Sequence, residues 1–194
     1  MSPWFGKAII LASSIVMVII RAPHGQRSRR VKVVRSGWGA LETVLLALAW
    51  LAFFVPLVWV AGAPVFAFAD YLLRPVPLSA GVVCLAVGLW LFARSHADLG
   101  TNWSISLEVR EEHQLVTQGI YRSLRHPMYS ALLLYSLGQA LVVPNWIVGP
   151  SYGVAMVLLF AFRLGPEERM MVEEFGEDYE AYRRRTKRLV PGIW

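Results

Sequence analysis

Between residues 113 and 182 titratable and aromatic side chains crowd against apolar runs: HQLVTQGIYRSLRHPMY, an apolar hairpin, then FRLGPEERMMVEEFGEDYEAY. Ionisable groups so close to hydrocarbon carry a desolvation cost and usually face a cavity, so His126, Arg163, Glu167 and Glu168 mark a candidate site. His126 precedes Pro127, which biases its backbone away from the helical region, while Pro127 suits the first position of a helix whose free amides attract anionic groups. The imidazole is then either an anchor for a carboxylate or polar cofactor, or a histidine capping the helix at an interface. Tyr121 and Tyr129 flank this turn and supply either a stacking surface and hydroxyls or two members of an interfacial aromatic belt. Arg163 and Glu167 lie four residues apart. There a guanidinium can grip an acidic substrate and a carboxylate can bind a ribose hydroxyl or an ammonium group. A snorkelling arginine beside a glutamate favoured by the helix dipole is the competing account. Asp98, Asn102 and Trp103 add polar groups upstream.

Other chemistries have little to stand on. The single cysteine, Cys84, lies inside an apolar run, which rules out an intrachain disulfide, a thiolate metal cluster and CxxC redox chemistry. His24, His96, His113 and His126 are scattered without ligand spacing, so no metal site is expected. HExxH, GxSxG, Walker and GxGxxG patterns are absent, which argues against a serine hydrolase and against a Rossmann-type methyltransferase.

The elements that must position these residues are membrane spans. The 194-residue chain is 56% hydrophobic, only 16% charged and has a mean hydropathy of +0.49, too apolar for an ordinary soluble domain. Trp4 to Ile20 is a first run of about 25 Å if helical, near the short limit for a span, and RAPHGQRSRR after it lacks a signal-peptide cleavage pattern. Residues 40 to 62 form a second run, with a kink expected at Pro56. The connection 63 to 77 holds Pro64, Pro75 and Pro77 and reads as irregular. A third span follows over 78 to 93, with Gly81 and Gly88 as points of close helix contact. Residues 99 to 126 read as an ordered loop with short elements. Two runs, 127 to 143 and 146 to 162, are joined by Pro144 and Asn145 and predict an antiparallel helical hairpin. Beyond it, Gly165 is expected to end the span and Pro166 to open a new helix, which carries Met171, Phe175, Tyr179 and Tyr182 on one face and is open to interruption at Gly176. All lysines and arginines except Lys7 and Arg74 fall in 21–39, 94–126 and 163–194. That asymmetry predicts an all-α, multi-pass integral membrane protein of about five transmembrane helices, amino terminus outside, carboxyl terminus and site in the cytoplasm. It also accounts for the net charge of +6 without nucleic acid as a partner. Two regions are expected: a three-span amino-terminal part, 1–97, and a catalytic part, 98–194.

The order LGTNWS, HQLVTQGIYRSLRHPMY, apolar hairpin, RLGPEERMMVEEFGEDYEAYRRRTKRLVP resembles the isoprenylcysteine carboxyl methyltransferase family of integral membrane methyltransferases, including its short prokaryotic relatives. The likeness covers about residues 98 to 191. It rests on RHPxY together with EE and FGxxYxxY, while 1–97 match in span pattern alone. The resemblance implies S-adenosylmethionine as cofactor, bound by His113, Gln114, Leu115, Val116, Tyr121, His126, Pro127, Met128, Tyr129 and Glu167. It implies Arg163 as the catalytic and substrate-binding residue. The acceptor is then a lipophilic small molecule or lipidated substrate reached among membrane lipids, with an isoprenylcysteine-like carboxylate ahead of a phospholipid amine. A carboxylate is already ionised at neutral pH, so Arg163 needs only to orient it; an amine would need a base. A nicotinamide-dependent reductase of the steroid-reductase type and a non-catalytic interaction protein are the competing classes, and the EE and FGxxYxxY pair argues against the reductase.

Overall fold

The computed structural model describes residues 1–28, 33–36, 39–100, 108–110 and 114–190. Its five helices are α1 (Trp4–Ser28), α2 (Ala40–Val60), α3 (Pro75–Leu99), α4 (Pro127–Val142) and α5 (Val148–Arg185). Four of them, all but α4, are long and apolar enough to cross a membrane. The 16-residue α4 is about 24 Å long; it packs against α3 more extensively than any other pair of elements packs. Leu51, Phe54, Val83, Trp90, Val154 and Val157 stand exposed on α2, α3 and α5, as suits an all-α integral membrane protein whose apolar rim faces lipid.

Small residues let α3 and α4 approach backbone to backbone. A Cβ on Gly138 would lie 2.9 Å from the Gly81 carbonyl oxygen, and one on Gly88 would lie 3.0 Å from the Tyr135 amide nitrogen. The close contacts expected of Gly81 and Gly88 are therefore made, with Gly138 completing them. Polar pairs lock the remaining helices, because a hydroxyl or amide in this setting must find a partner inside the protein. The Tyr135 hydroxyl meets Ser13 and Ser14 of α1, each at 3.2 Å.

At one end of the bundle Asn145 organises the α4–α5 turn. Its Oδ1 accepts from the Val148 amide at 2.8 Å, and its Nδ2 donates to Asp70 at 2.6 Å. Asp70 also accepts from Trp59 Nε1 at 2.8 Å. The candidate site occupies the opposite end, where α1, α3 and α5 run into basic sequence.

Several boundaries differ from the sequence reading. Helix α1 does not stop near Ile20 but runs through Pro23 to Ser28, since its buried face, Ile10, Ser13, Ser14 and Met17, continues at the same spacing into Arg21 and His24. Helix α3 begins at Pro75 rather than 78, with prolines in a first turn where their missing amide costs nothing. The connection before it contains a 3-10 turn, Pro64–Ala69. Helix α5 passes through Gly165 and Pro166 without a break and turns only at Gly176, whose φ of 52° is in the left-handed region. Ion pairs from Arg163 on one flank of Pro166 and from Glu167 and Glu168 on the other fasten both sides of the proline. Two short strands, β1 (Val33–Ser36) and β2 (Glu108–Arg110), pair antiparallel, with Ser36 opposite Glu108; β2 is one of the short elements expected within 99–126.

Candidate active site

Helix α5 carries two adjacent glutamates that point to different neighbours, because consecutive helical residues are rotated by about 100°. Glu167 faces the bundle. It accepts a short hydrogen bond from the Tyr129 hydroxyl, lies 3.5 Å from Arg163 Nε and 3.7 Å from His126 Nδ1. Arg163 in turn reaches Glu42 of α2 at 3.3 Å, and the side chains of this pair are only 10% and 9% exposed. Burial makes such a pair costly unless its geometry is kept, so α2 and α5 are tied together at this level.

Glu168 faces the loop and the tail. It accepts from Arg125 Nε at 2.9 Å and from Arg188 at 2.9 Å, and its Oε1 is 3.5 Å from His126 Nε2. Burial alone would raise its carboxyl. The nearby His126 ring and the hydrogen bonds from Arg188 and Arg125 win and hold it well below the usual carboxylate range. Residues 187 and 188 lie beside the segment before α4: the Arg125 amide donates to the Lys187 carbonyl at 2.8 Å, and the His126 amide to Arg188 at 3.0 Å. The Tyr182 hydroxyl donates to the Tyr121 carbonyl at 2.6 Å, and the Ser130 hydroxyl to Leu189 at 2.5 Å.

His126 is thus an intersection. It takes non-helical φ and ψ of −124° and 57° immediately before Pro127, and its ring stands between the two glutamates. Its nearest anions are the protein's own, Glu167 and Glu168. The ring stacks on Tyr129 (5.2 Å between centroids, 12° between planes), which stacks on Phe160 (4.1 Å, 13°).

Of the other expected site residues, Pro127 is buried and Met128 half-buried at the start of α4. Tyr121 is buried in a 3-10 turn, Gly119–Arg122, and its phenol is pushed up by burial and then by the nearby Glu167, Tyr182 and Asp98. Asp98 accepts from the Ile120 amide at 2.9 Å, which places the end of α3 under that turn. Gln114 is exposed, and Leu115 and Val116 half-buried, in the irregular chain leading to it. His113, Asn102 and Trp103 lie outside the described residues.

Next to this cluster is an apolar cavity of about 100 Å³. Met17, Phe53, Tyr129, Tyr152 and Phe160 form its walls, and Arg21 and Arg163 are its charged members. Tyr129 and Arg163 therefore belong to both the cavity and the ionic cluster. The geometry suits a reaction in which an apolar molecule with one polar end meets a polar group held at Glu167.

Sequence reasoning missed Glu42, Arg125, Arg188 and the inward direction of Arg21. Glu42 was detectable as the sole acidic residue of a 21-residue apolar helix. Arg125 and Arg188 sit in basic runs where no single cation stands out.

A family model described as phospholipid methyltransferase matches residues 76–178. Protein-S-isoprenylcysteine O-methyltransferase of Dictyostelium discoideum is 30% identical over 115 residues, 58% of this chain and 48% of that protein. An Arabidopsis thaliana protein of the same name, form B, is 31% identical over 115 residues, 58% of each chain. The Homo sapiens protein is 30% identical over 115 residues, 58% of this chain and 40% of that one. The chain spans about half the length of the curated relatives it matches. A solved structure of the eukaryotic intramembrane Ras methyltransferase ICMT, without a monobody, superposes with a TM-score of 0.54 at 24% identity, covering 82% of this chain and 55% of that one. That likeness is one of fold.

Proposed function

Because this chain belongs to the phospholipid methyltransferase family, we propose that it is a membrane methyltransferase that moves a methyl group from S-adenosylmethionine to the carboxylate of a lipophilic, isoprenylcysteine-like acceptor. The observation that carries this reading is the position of Arg163 on the shared boundary of an apolar cavity and the Glu167 cluster. Relatives at about this identity bear the name isoprenylcysteine O-methyltransferase, which supports a carboxylate acceptor.

The residues present fit the cofactor. Glu167 is a partly exposed carboxylate, 25% accessible, able to accept from hydroxyl or ammonium donors, and the stacked His126, Tyr129 and Phe160 rings wall it on one side. His126, Tyr129 and Glu167 would hold the group together with His113, Gln114, Leu115, Val116, Tyr121, Pro127 and Met128. When bound, S-adenosylmethionine supplies an electrophilic methyl group and leaves as a neutral thioether. The protein's part is alignment and exclusion of water. Arg163 would orient the acceptor carboxylate, sharing its guanidinium between that group and Glu42. An acid acceptor is ionised at neutral pH, so no general base is required of His126 or the glutamates.

A phospholipid amine acceptor is the second reading. The pair of carboxylates, Glu42 and Glu167, on either side of Arg163 favours it, since either can receive an ammonium group. Calorimetric titration of the detergent-purified protein with S-adenosylhomocysteine, and separately with NADPH, tests the class. We expect binding of the first alone. Binding of NADPH alone would replace this reading with a reductase, and binding of neither with a non-catalytic membrane protein. Transfer of labelled methyl to a prenylated cysteine gives a methyl ester that alkali hydrolyses to volatile labelled methanol, whereas in methylated phosphatidylethanolamine the N–methyl bond survives alkali, so release of volatile label on alkali treatment separates the two acceptors.

A further inference from the structure

Arg21 belongs to the amino-terminal region outside residues 76–178 that the family model matches. A basic residue just past a membrane run is ordinarily a topology signal whose head snorkels to water. Its surroundings here are different. Helix α1 continues to Ser28, and Arg21 falls four residues after the buried Met17 on the face that packs into the bundle. Its guanidinium carbon sits 4.9 Å from the centroid of the Trp50 ring of α2, a contact that fixes its direction. The side chain lines the same cavity as Arg163. Two arginines from helices far apart in the sequence thus line one apolar cavity.

Val18 of α1 and Trp50 of α2 both line the cavity and are 51% and 41% exposed, which makes the boundary between α1 and α2 the route for a lipid tail. A space of about 100 Å³ is below the range of small-molecule pockets, roughly 300 Å³ and upward. It takes a polar head and a few carbons while the tail runs out along that boundary.

Resting on the methyl-transfer reading above, we propose that Arg21 is a specificity-determining residue that binds the anionic head of a lipophilic acceptor opposite Arg163, the tail leaving the cavity between α1 and α2. Planar guanidinium groups suit this task because each offers paired donors to a carboxylate, and an apolar wall strengthens the interaction by excluding water. Arg163 also pairs with Glu42 and Glu167, and Arg21 adds a second positive charge to the cavity lining. A neutral ester of the same lipid fills the cavity equally well but cannot exploit that charge.

The test compares N-acetyl-S-geranylcysteine with its methyl ester by calorimetry on the full chain in detergent, with S-adenosylhomocysteine present. Wild type is expected to bind the acid about tenfold or more tighter than the ester, as a charge-assisted contact implies. Arg21→Gln is expected to remove most of that preference while changing ester affinity less than about twofold. Arg21→Met, which keeps an unbranched stem against Trp50, carries the same expectation should the glutamine variant not fold. Equal weakening of acid and ester would show Arg21 to be packing alone, and unchanged acid preference would show that it does not meet the head; either overturns the inference. A wild type that binds S-adenosylhomocysteine but neither lipid overturns the acceptor site and leaves the methyltransferase reading standing. A wild type that binds no S-adenosylhomocysteine overturns the reading itself, and the inference with it.

Discussion

Glu167 and Glu168 are neighbours in sequence with separate duties, and mutation should separate them. Glu167 meets Tyr129, Arg163 and His126 beside the cavity. Glu167→Ala is expected to weaken S-adenosylhomocysteine binding by about tenfold or more, the scale of a lost charge-assisted contact, whereas Arg163→Ala should mainly lower turnover. Calorimetry and a methyl-transfer assay on the same preparations check this, and an unchanged cofactor affinity in the glutamate variant would remove that assignment. Glu168 joins Arg125 and Arg188. Removing it takes the carboxylate from two cations, one of them buried, so Glu168→Ala should cost about 3 kcal/mol of stability, read from unfolding in detergent. The same carboxyl makes stability pH-dependent. Its folded value lies below the ordinary 4.5, so the unfolded chain takes up the proton first. The contribution is complete above the ordinary value and declines as the pH falls from there toward the lower folded one. In Glu168→Gln that slope should disappear from a plot of unfolding midpoint against pH.

Helices transmit the effect of single side chains, and the α3–α4 contact is the most sensitive place. A side chain on Gly138 would strike the backbone of α3 at Gly81 and Leu85, neither of which can rotate aside. Gly138→Leu should therefore cost about 1–3 kcal/mol or more and lower the yield of folded protein, measured by size exclusion in detergent. How far the elements were legible follows from what writes them. Hydropathy and small residues specified the spans, the hairpin and the α3–α4 contact, because those are local signals. Gly165 and Pro166 carried the local signature of a helix end, but ion pairs to Glu42, Arg125 and Arg188 override it. Those partners are distant in sequence, and no periodicity announces them. At the residue level the resemblance picked out His126, Tyr129, Arg163 and Glu167, which the fold brings into one cluster. The amino-terminal half offered no such motif: there Arg21 reads as a topology signal, and Glu42 gains meaning only from its contact with Arg163.

The whole molecule has two chemically distinct ends. Asp70, Trp59 and Asn145 seal one, and the clustered arginines and glutamates occupy the other. From the basic segments at the second end we propose, by the positive-inside rule, that the site faces the cytoplasm. Single cysteines introduced in a Cys84→Ser background at Phe68 and at Glu174 should label from opposite faces of sealed vesicles with a membrane-impermeant maleimide; labelling from the same face would reverse the assignment of one end. A consequence for truncation lies in the pairing of residues 187 and 188 with Arg125 and His126. A chain cut after Arg185 keeps all five helices, yet the His126 amide loses its Arg188 partner and Glu168 loses one of its two arginines. Such a chain should still reach the membrane but bind S-adenosylhomocysteine more weakly, which makes insertion and completion of the site separable by a few carboxyl-terminal residues.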